Sequence, residues 1–208
     1  MKIAILGTGN VGRALGTSWA YKGHEVIFGS RDPHSEKVQA MLAAAPQAKA
    51  MTTQEAAAAA PIIVLATPWN AVASVVTSIQ DWTDKILVDC TNPIAPGFKL
   101  ALGYTTSGAE QVAVWAPGAN VVKAYNTTGA ENMADPIYNG EAVTMFICGD
   151  EAAAKETVLQ LTRDLGFDAV DVGPLNMARH LEPLAMLWIK MALVNGMGRN
   201  IAFKLVRR

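Results

Sequence analysis

Residues 2–12 decide the fold of this chain: Lys2-Ile3-Ala4-Ile5-Leu6 is followed at once by Gly7-Thr8-Gly9-Asn10-Val11-Gly12. The apolar run is bounded by glycine and is too short for a helix, so it predicts a buried strand. The Gly-x-Gly-x-x-Gly pattern after a strand is typical of a dinucleotide site. The first glycine permits a tight turn, the second lets the backbone approach a pyrophosphate, and the third allows close helix packing.

The residues after the motif are those that a dinucleotide-binding unit requires. Leu15, Trp19 and Ala20 fall on one face of the next helix, and Gly23 stands where that helix should end. The first N–H groups of the helix have no intrahelical partner, so they favour a bound phosphate. A glycine turn in another kind of α/β domain is the alternative interpretation.

The end of the second strand carries the residues that choose the cofactor. An NAD site usually has Asp or Glu there, whereas this chain has Ser30 and Arg31. A hydroxyl and a guanidinium can donate to a 2'-phosphate, which a carboxylate would repel, so we predict NADP(H). Asp32 argues against this prediction if the register shifts by one residue, and Arg31 could be only a solvated surface residue. His34 and Lys37 could add positive charge.

Three further apolar runs predict buried strands of a parallel sheet, at Ile62–Ala66, Lys85–Asp89 and Ala119–Ala124. Open α/β sheets bind ligands at the carboxyl ends of their strands. The predicted cofactor residues that follow these strands are Ala66, Thr67, Pro68, Trp69, Asn92 and Pro93. Trp69 could equally pack against a neighbouring helix, and the Asn92 side chain could bond only its own backbone.

Capping signals divide the remaining helices. Thr52-x-x-Glu55 and Ser107-x-x-Glu110 are predicted capping boxes, and Gly149-Asp150 is predicted to cap a helix that ends at Leu165. Residues 96–106 show no strong periodicity and are predicted to be a loop. A strand then covers 167–172 before a long helical region that ends at Asn195.

These elements predict an α/β protein: a Rossmann-type doubly wound parallel sheet with a smaller C-terminal α/β extension that ends in a helix. We predict an NADP-binding Rossmann domain over 1–124 and a smaller acceptor-side and dimerisation region over 125–208. The apolar stripe of the last helical region indicates core packing or a homodimer interface within 181–205.

Composition limits the possible partners. The 208 residues carry a formal net charge of -1 and no basic run, so we expect no nucleic-acid binding and no membrane insertion. No secretory signal is visible, which favours a cytoplasmic protein. Cys90 and Cys148 lie in or beside apolar runs and are predicted to be buried, inert thiols.

No catalytic or metal-binding pattern is present in the sequence. The histidines are scattered; His24 is predicted to be a surface residue and His180 a partly exposed one. This fits a reaction whose chemistry is carried by the cofactor, such as hydride exchange with a flavin-like ring. Direct reduction of a carbonyl or imine needs a proton donor, for which Tyr125, Tyr104 and Lys123 are the candidates.

Four segments together resemble the NADPH-dependent coenzyme F420 reductases: Gly7–Gly12, Gly29–Arg31, Thr67–Trp69 and Asn195–Gly198. The region Lys123–Asn126 is more similar to the NADPH-binding domain of STEAP metalloreductases. The resemblance implies that Thr8, Gly9, Asn10 and Val11 surround the pyrophosphate, that Ser30 and Arg31 take the 2'-phosphate, and that Thr67, Pro68 and Trp69 flank the nicotinamide.

The same resemblance implies a small-molecule hydride acceptor beside Asn126, Thr127, Thr128 and Gly129. Met197 covers the acceptor ring in this interpretation, or else only packs at the helix end. The archaeal enzymes carry a histidine where this chain has Tyr125-Asn126. The acceptor therefore stays open among F420, FMN and FAD, with two further alternatives: a carbonyl or imine substrate, and a non-catalytic NADP-sensing module.

Overall fold

Strands and helices alternate along the computed structural model of the chain, which describes residues 1–208. The strands are β1 (Lys2–Leu6), β2 (Glu25–Ser30), β3 (Lys49–Thr52), β4 (Ile62–Leu65), β5 (Ile86–Asp89), β6 (Ile94–Ala95), β7 (Lys99–Leu100), β8 (Asn120–Lys123), β9 (Ile137–Tyr138), β10 (Glu141–Ala142), β11 (Thr144–Gly149) and β12 (Asp168–Asp171). The α-helices are α1 (Asn10–Tyr21), α2 (Glu36–Ala44), α3 (Thr53–Ala59), α4 (Trp69–Thr77), α5 (Gly108–Trp115), α6 (Ala130–Ala134), α7 (Ala152–Asp164) and α8 (Ala178–Ile189).

Eight of these strands form one sheet in the order β12-β11-β8-β5-β4-β1-β2-β3. The six strands from β8 to β3 are parallel, β11 is antiparallel to β8, and β12 is parallel to β11. The strand order reverses direction beside β1, which pairs with both β2 and β4. The predicted Rossmann-type doubly wound sheet is confirmed, and its ligand crevice is expected where the order reverses.

The apolar strands are buried because helices cover both faces of the sheet. Successive side chains of β1 enter opposite cores: Ile3 and Ile5 pack in one cluster, and Ala4 and Leu6 pack in the other. All four are at most 1% exposed. This explains why β1 is apolar throughout rather than alternating with polar residues.

The predicted division at residue 124 falls inside this architecture. The strands β11 and β12, from the second segment, extend the sheet that the first segment begins. The two segments 1–124 and 125–208 therefore share one sheet. Their division into two domains stays a prediction.

Two of the three predicted helix caps form. Thr52 Oγ1 accepts the Glu55 N–H while Glu55 reaches back to the Thr52 N–H, and Ser107 Oγ accepts the Glu110 N–H. The prediction of Gly149-Asp150 as the cap of α7 is wrong. Glu151 caps that helix by accepting the N–H groups of its first turn, because Asp150 is turned away to accept the Leu175 N–H.

Two other expectations need correction. The His24 side chain is only 9% exposed, although it was predicted to be a surface residue. It connects the N-terminus to the end of α7, because its ring nitrogens lie 3.1 Å from the Met1 amino group and 3.1 Å from Asp164 Oδ2. The predicted loop 96–106 contains β7, which pairs antiparallel with β6.

Both cysteines are free and buried as predicted, and burial raises the pKa of the Cys148 thiol to about 12.

The C-terminal helical region ends in a π-helical turn at Lys190–Val194, after which the chain returns beside the start of β11. The Ile201 carbonyl accepts the Trp188 indole N–H at 2.7 Å, and the Phe203 carbonyl accepts the Thr144 N–H at 3.0 Å. None of the helices combines the length and the apolar character that crossing a membrane requires.

Candidate active site

A cleft of about 760 Å³ opens at the carboxyl ends of β1, β4 and β5, beside the point where the strand order reverses. Its walls are formed by Gly9, Asn10, Val11, Ala66, Thr67, Pro68, Trp69, Asn70, Cys90, Thr91, Asn92, Ile94, Ala95, Pro96, Ala130 and Arg199. Half of these residues were predicted from the sequence. The volume is in the usual range for small-molecule and cofactor sites.

The glycine turn on one wall is sterically specific. Gly7 has φ +125°, and a Cβ there would overlap the Ala66 carbonyl oxygen; a Cβ at Gly12 would overlap the Gly7 carbonyl oxygen. A Cβ at Gly9 would meet no atom within 4 Å. The first and third glycines are therefore required by the fold itself, whereas the second leaves open space toward the cleft.

The start of α1 fits a phosphate group. The helix begins after Gly9 without a side-chain cap, so its first N–H groups are free for an external anion. Thr67 Oγ1, on the neighbouring strand end, is a buried hydroxyl without a hydrogen-bond partner in the chain. These donors and the open space at Gly9 match the pyrophosphate of a dinucleotide.

The predicted 2'-phosphate residues lie outside the cleft, at the end of the next strand. Ser30 Oγ donates to the Asp32 carbonyl at 3.0 Å and accepts the Asp32 N–H at 3.2 Å. The Asp32 carboxylate accepts the His34 N–H, so it is bonded within its own turn. Arg31 and Lys37 are exposed, and neither makes an ion pair in the chain. Their role toward NADP stays a prediction.

Trp69 combines the two roles that were considered for it. It lines the cleft, and its ring also packs on Trp115 at 5.7 Å between centroids with 36° between the planes. Because Trp115 belongs to α5, this contact fixes one cleft wall against the helix behind it. Ala66, Thr67 and Pro68 line the same wall.

The end of β5 supplies the opposite side through Cys90, Thr91 and Asn92. Asn92 Nδ2 donates to the Asn126 carbonyl at 3.0 Å, and Asn92 Oδ1 accepts from Asn126 Nδ2 at 3.1 Å. The side chain of Asn92 is therefore held by the neighbouring strand end rather than by its own backbone. Pro93 is buried and does not line the cleft.

Beneath this wall lies a buried ionic cluster. Lys123 Nζ lies 2.9 Å from Asp89 Oδ2, 2.9 Å from Glu182 Oε1 and 2.5 Å from the Thr91 carbonyl oxygen. Burial lowers the pKa of Lys123, but the two carboxylates outweigh burial and raise it overall. Lys123 is therefore a charged anchor that supports the cleft floor.

Comparison with known proteins identifies the family of the chain. The family model described as NADP oxidoreductase, coenzyme F420-dependent, matches residues 2–93. The F420-dependent NADP reductase of Methanothermobacter marburgensis is 30% identical over an alignment of 216 positions, which covers 94% of this chain and 94% of that protein. The chain belongs to the F420-dependent NADP oxidoreductase family.

Two further relatives match most or all of this chain. A crystal structure of an Arthrobacter sp. protein, described as a candidate F420-dependent NADP reductase, superposes with a TM-score of 0.91 at 34% identity and full coverage of both chains. Rat metalloreductase STEAP3 is 34% identical over 190 residues, or 89% of this chain. The match spans only 37% of STEAP3.

The residues predicted for the acceptor side do not line the cleft. Asn126, Thr127 and Gly129 are buried, and Thr128 is half-buried with its hydroxyl accepting from Asn132 Nδ2. Met197 is 56% exposed on the C-terminal segment. Asn126 reaches the cleft indirectly, through its paired amide contact with Asn92, so the acceptor assignment stays a prediction.

Several residues that line the cleft were not predicted: Asn70, Cys90, Thr91, Ile94, Ala95, Pro96, Ala130 and Arg199. Cys90 and Thr91 directly follow β5, and that position at a strand end could have indicated them. Arg199 carries no such local signal, because it reaches the cleft only through the folding of the C-terminal segment.

Proposed function

We propose that this NADP-dependent oxidoreductase transfers hydride between NADP(H) and a planar ring acceptor, the deazaflavin F420 or a flavin such as FMN or FAD. The support for F420 is the description of the relatives as F420-dependent NADP reductases. The support for a ring acceptor in general comes from the cleft itself.

The observation that carries this proposal is that none of the three candidate proton donors, Tyr125, Tyr104 and Lys123, lines the cleft. Tyr125 is buried away from it: its backbone has φ +61°, and its hydroxyl hydrogen-bonds Thr162 Oγ1 at 2.6 Å. Tyr104 is 98% exposed and lies outside the lining, and Lys123 is held between two carboxylates. Reduction of a carbonyl or imine needs such a donor, whereas hydride transfer to a ring depends mainly on alignment.

The Cys90 thiol does line the cleft but does not change this conclusion. It is 7% exposed, and burial raises its pKa well above the usual range. A thiol with such a pKa is a weak acid at neutral pH. The chain's own residues are therefore assigned to binding, orientation and exclusion of water.

The roles that we propose for the residues follow from their positions on the cleft walls. The turn Gly7–Gly12 and the start of α1 hold the pyrophosphate, and Thr67–Trp69 with Asn92 flank the reacting end. A bound nicotinamide would supply the hydride. Ser30, Arg31 and Lys37 are proposed to select the 2'-phosphate from the end of β2.

Acceptor specificity can be tested by NADPH oxidation with F420, FMN, FAD and a panel of carbonyls and imines. We expect turnover with F420 or a flavin and none with the carbonyl panel. Turnover with a carbonyl or imine alone would contradict the proposal. Tight NADPH binding without turnover on any acceptor would instead indicate a nucleotide-sensing module.

We also propose a homodimer formed by the C-terminal face. Leu187, Val194 and Met197 are each more than half exposed on α8 and the segment after it. Light scattering should give twice the chain mass, and Leu187→Glu should shift the protein toward the monomer. The cytoplasmic location stays a prediction, to be tested by fractionation of the source cells.

A further inference from the structure

Arg199 is the only charged side chain among the sixteen residues that line the cleft. The rest of the lining is apolar or neutral. A single guanidinium in such a cleft is a strong candidate for binding an anionic group, because it offers several N–H donors in a planar fork.

Arg199 pairs with a residue outside the lining. Its Nε lies 2.7 Å from Glu131 Oε1, and the two side chains are 42% and 41% exposed. An ion pair this exposed contributes little to stability, so giving it up costs little. Glu131 therefore binds the guanidinium weakly enough for another anion to replace it.

The position of this pair places it beside the predicted phosphate site. Glu131 lies in the first turn of α6, which packs against α1, and Ala130 at the start of α6 lines the same cleft as Gly9 and Asn10. The cleft thus has the free N–H groups of α1 on one side and Arg199 on another.

The backbone is uncrowded before Arg199 and anchored after it. Gly196 and Gly198 precede it with φ +73° and +77°, and a Cβ at either would meet no atom within 4 Å. Just after it, the Ile201 carbonyl is anchored by the Trp188 indole and by Asn132 Nδ2 at 2.8 Å. Arg199 therefore lies between an uncrowded glycine turn and the anchored Ile201 carbonyl.

We propose that Arg199 exchanges Glu131 for the pyrophosphate of the bound dinucleotide, and so closes the phosphate site from the side that α1 leaves open. This inference rests on the proposed binding of NADP(H) in the cleft. Glu131 then acts as the competitor that holds the guanidinium until the dinucleotide enters.

The test is titration calorimetry with NADPH and with NADH on the wild-type chain, Arg199→Gln and Glu131→Gln. Both dinucleotides carry the pyrophosphate, so Arg199→Gln should weaken both by the same factor, roughly tenfold for one charge-assisted contact. Glu131→Gln should tighten both by a small factor, because the exposed ion pair that it removes competes only weakly. In the double variant the tightening should disappear.

Four results would overturn the inference. A loss confined to NADPH would place Arg199 at the 2'-phosphate, and unchanged binding with a raised KM for F420 would place it at the acceptor. Weakening by Glu131→Gln would show a merely structural ion pair. Wild-type protein that binds neither dinucleotide would refute the proposed function as well, whereas failure of Arg199 alone leaves wild-type binding intact.

Discussion

Lys123 Nζ lies 2.9 Å from Asp89 Oδ2, with both side chains wholly buried at the ends of the adjacent strands β8 and β5. The two residues are register partners in the parallel ladder, and Glu182 of α8 completes the cluster. Glu182 also accepts the N–H groups of Gly108 and Ala109 at the start of α5. One ammonium thus connects the cleft floor to two helices.

Replacing the ammonium should destabilise the fold strongly. Lys123→Met leaves two buried carboxylates without their cation, and breaking a buried pair costs about 3–5 kcal/mol. Urea unfolding should show this loss. Lys155→Met is the matched control, because it breaks a more exposed pair with Asp171 and should cost at most about 1 kcal/mol. Equal effects of the two substitutions would contradict the proposed importance of the cluster.

Substitution of the glycine motif should separate folding from binding. A Cβ at Gly9 meets nothing, so Gly9→Ala should leave the free energy of unfolding nearly unchanged while weakening NADPH and NADH binding alike. A Cβ at Gly12 overlaps the Gly7 carbonyl, so Gly12→Ala should lose about 1–3 kcal/mol of stability, the usual cost of overpacking. Thermal unfolding and calorimetry measure the two effects. Normal binding by a folded Gly9→Ala protein would argue against pyrophosphate contact at this turn.

Arg31 should decide between the two dinucleotides. Arg31→Ala is expected to weaken NADPH binding by about 1.5–3 kcal/mol, the value of a charged hydrogen bond, and to leave NADH binding unchanged. Calorimetric titrations of both dinucleotides provide the measurement. Lys22→Ala is the control, because it removes an equal charge at the far end of α1. Equal wild-type affinities for NADPH and NADH would refute the assignment.

The contact between α5 and α8 should weaken in acid. The Arg179 guanidinium and Ser107 hold the pKa of the Glu110 carboxyl below its ordinary 4.5, against the opposing effect of burial. This stabilisation is complete above the unfolded value near 4.5 and is lost as the pH falls through the lower folded value.

The difference in unfolding free energy between wild type and Glu110→Gln should therefore shrink between about pH 7 and about pH 3. Denaturant unfolding at both pH values measures it, and we expect no more than about 1 kcal/mol because the pair is partly exposed. Arg179→Gln should show the same reduced pH dependence. A difference that does not change with pH would mean that Glu110 is not stabilised by its partners.

Much of the fold follows from local sequence. The apolar run Lys2–Leu6, the glycine turn after it and the capping box at Thr52 each act over a few residues, and each forms as predicted. The cap of α7 was misplaced by one residue, because Asp150 bonds Leu175, 25 positions along the chain. A local rule cannot foresee which of two neighbouring acidic side chains a distant segment will take.

The cleft likewise combines features set by short segments with features set by contacts between distant segments. The sequence alone determined that strand ends with Gly9, Thr67 and Asn92 face one edge of a parallel sheet, because apolar patterning and turn chemistry are properties of short segments. Only the tertiary structure decided that Arg199 enters the cleft, that Tyr125 points away from it, and that Lys123 lies between two carboxylates. Those outcomes depend on packing between segments far apart in the chain, where burial and charge pairing act without regard to sequence distance.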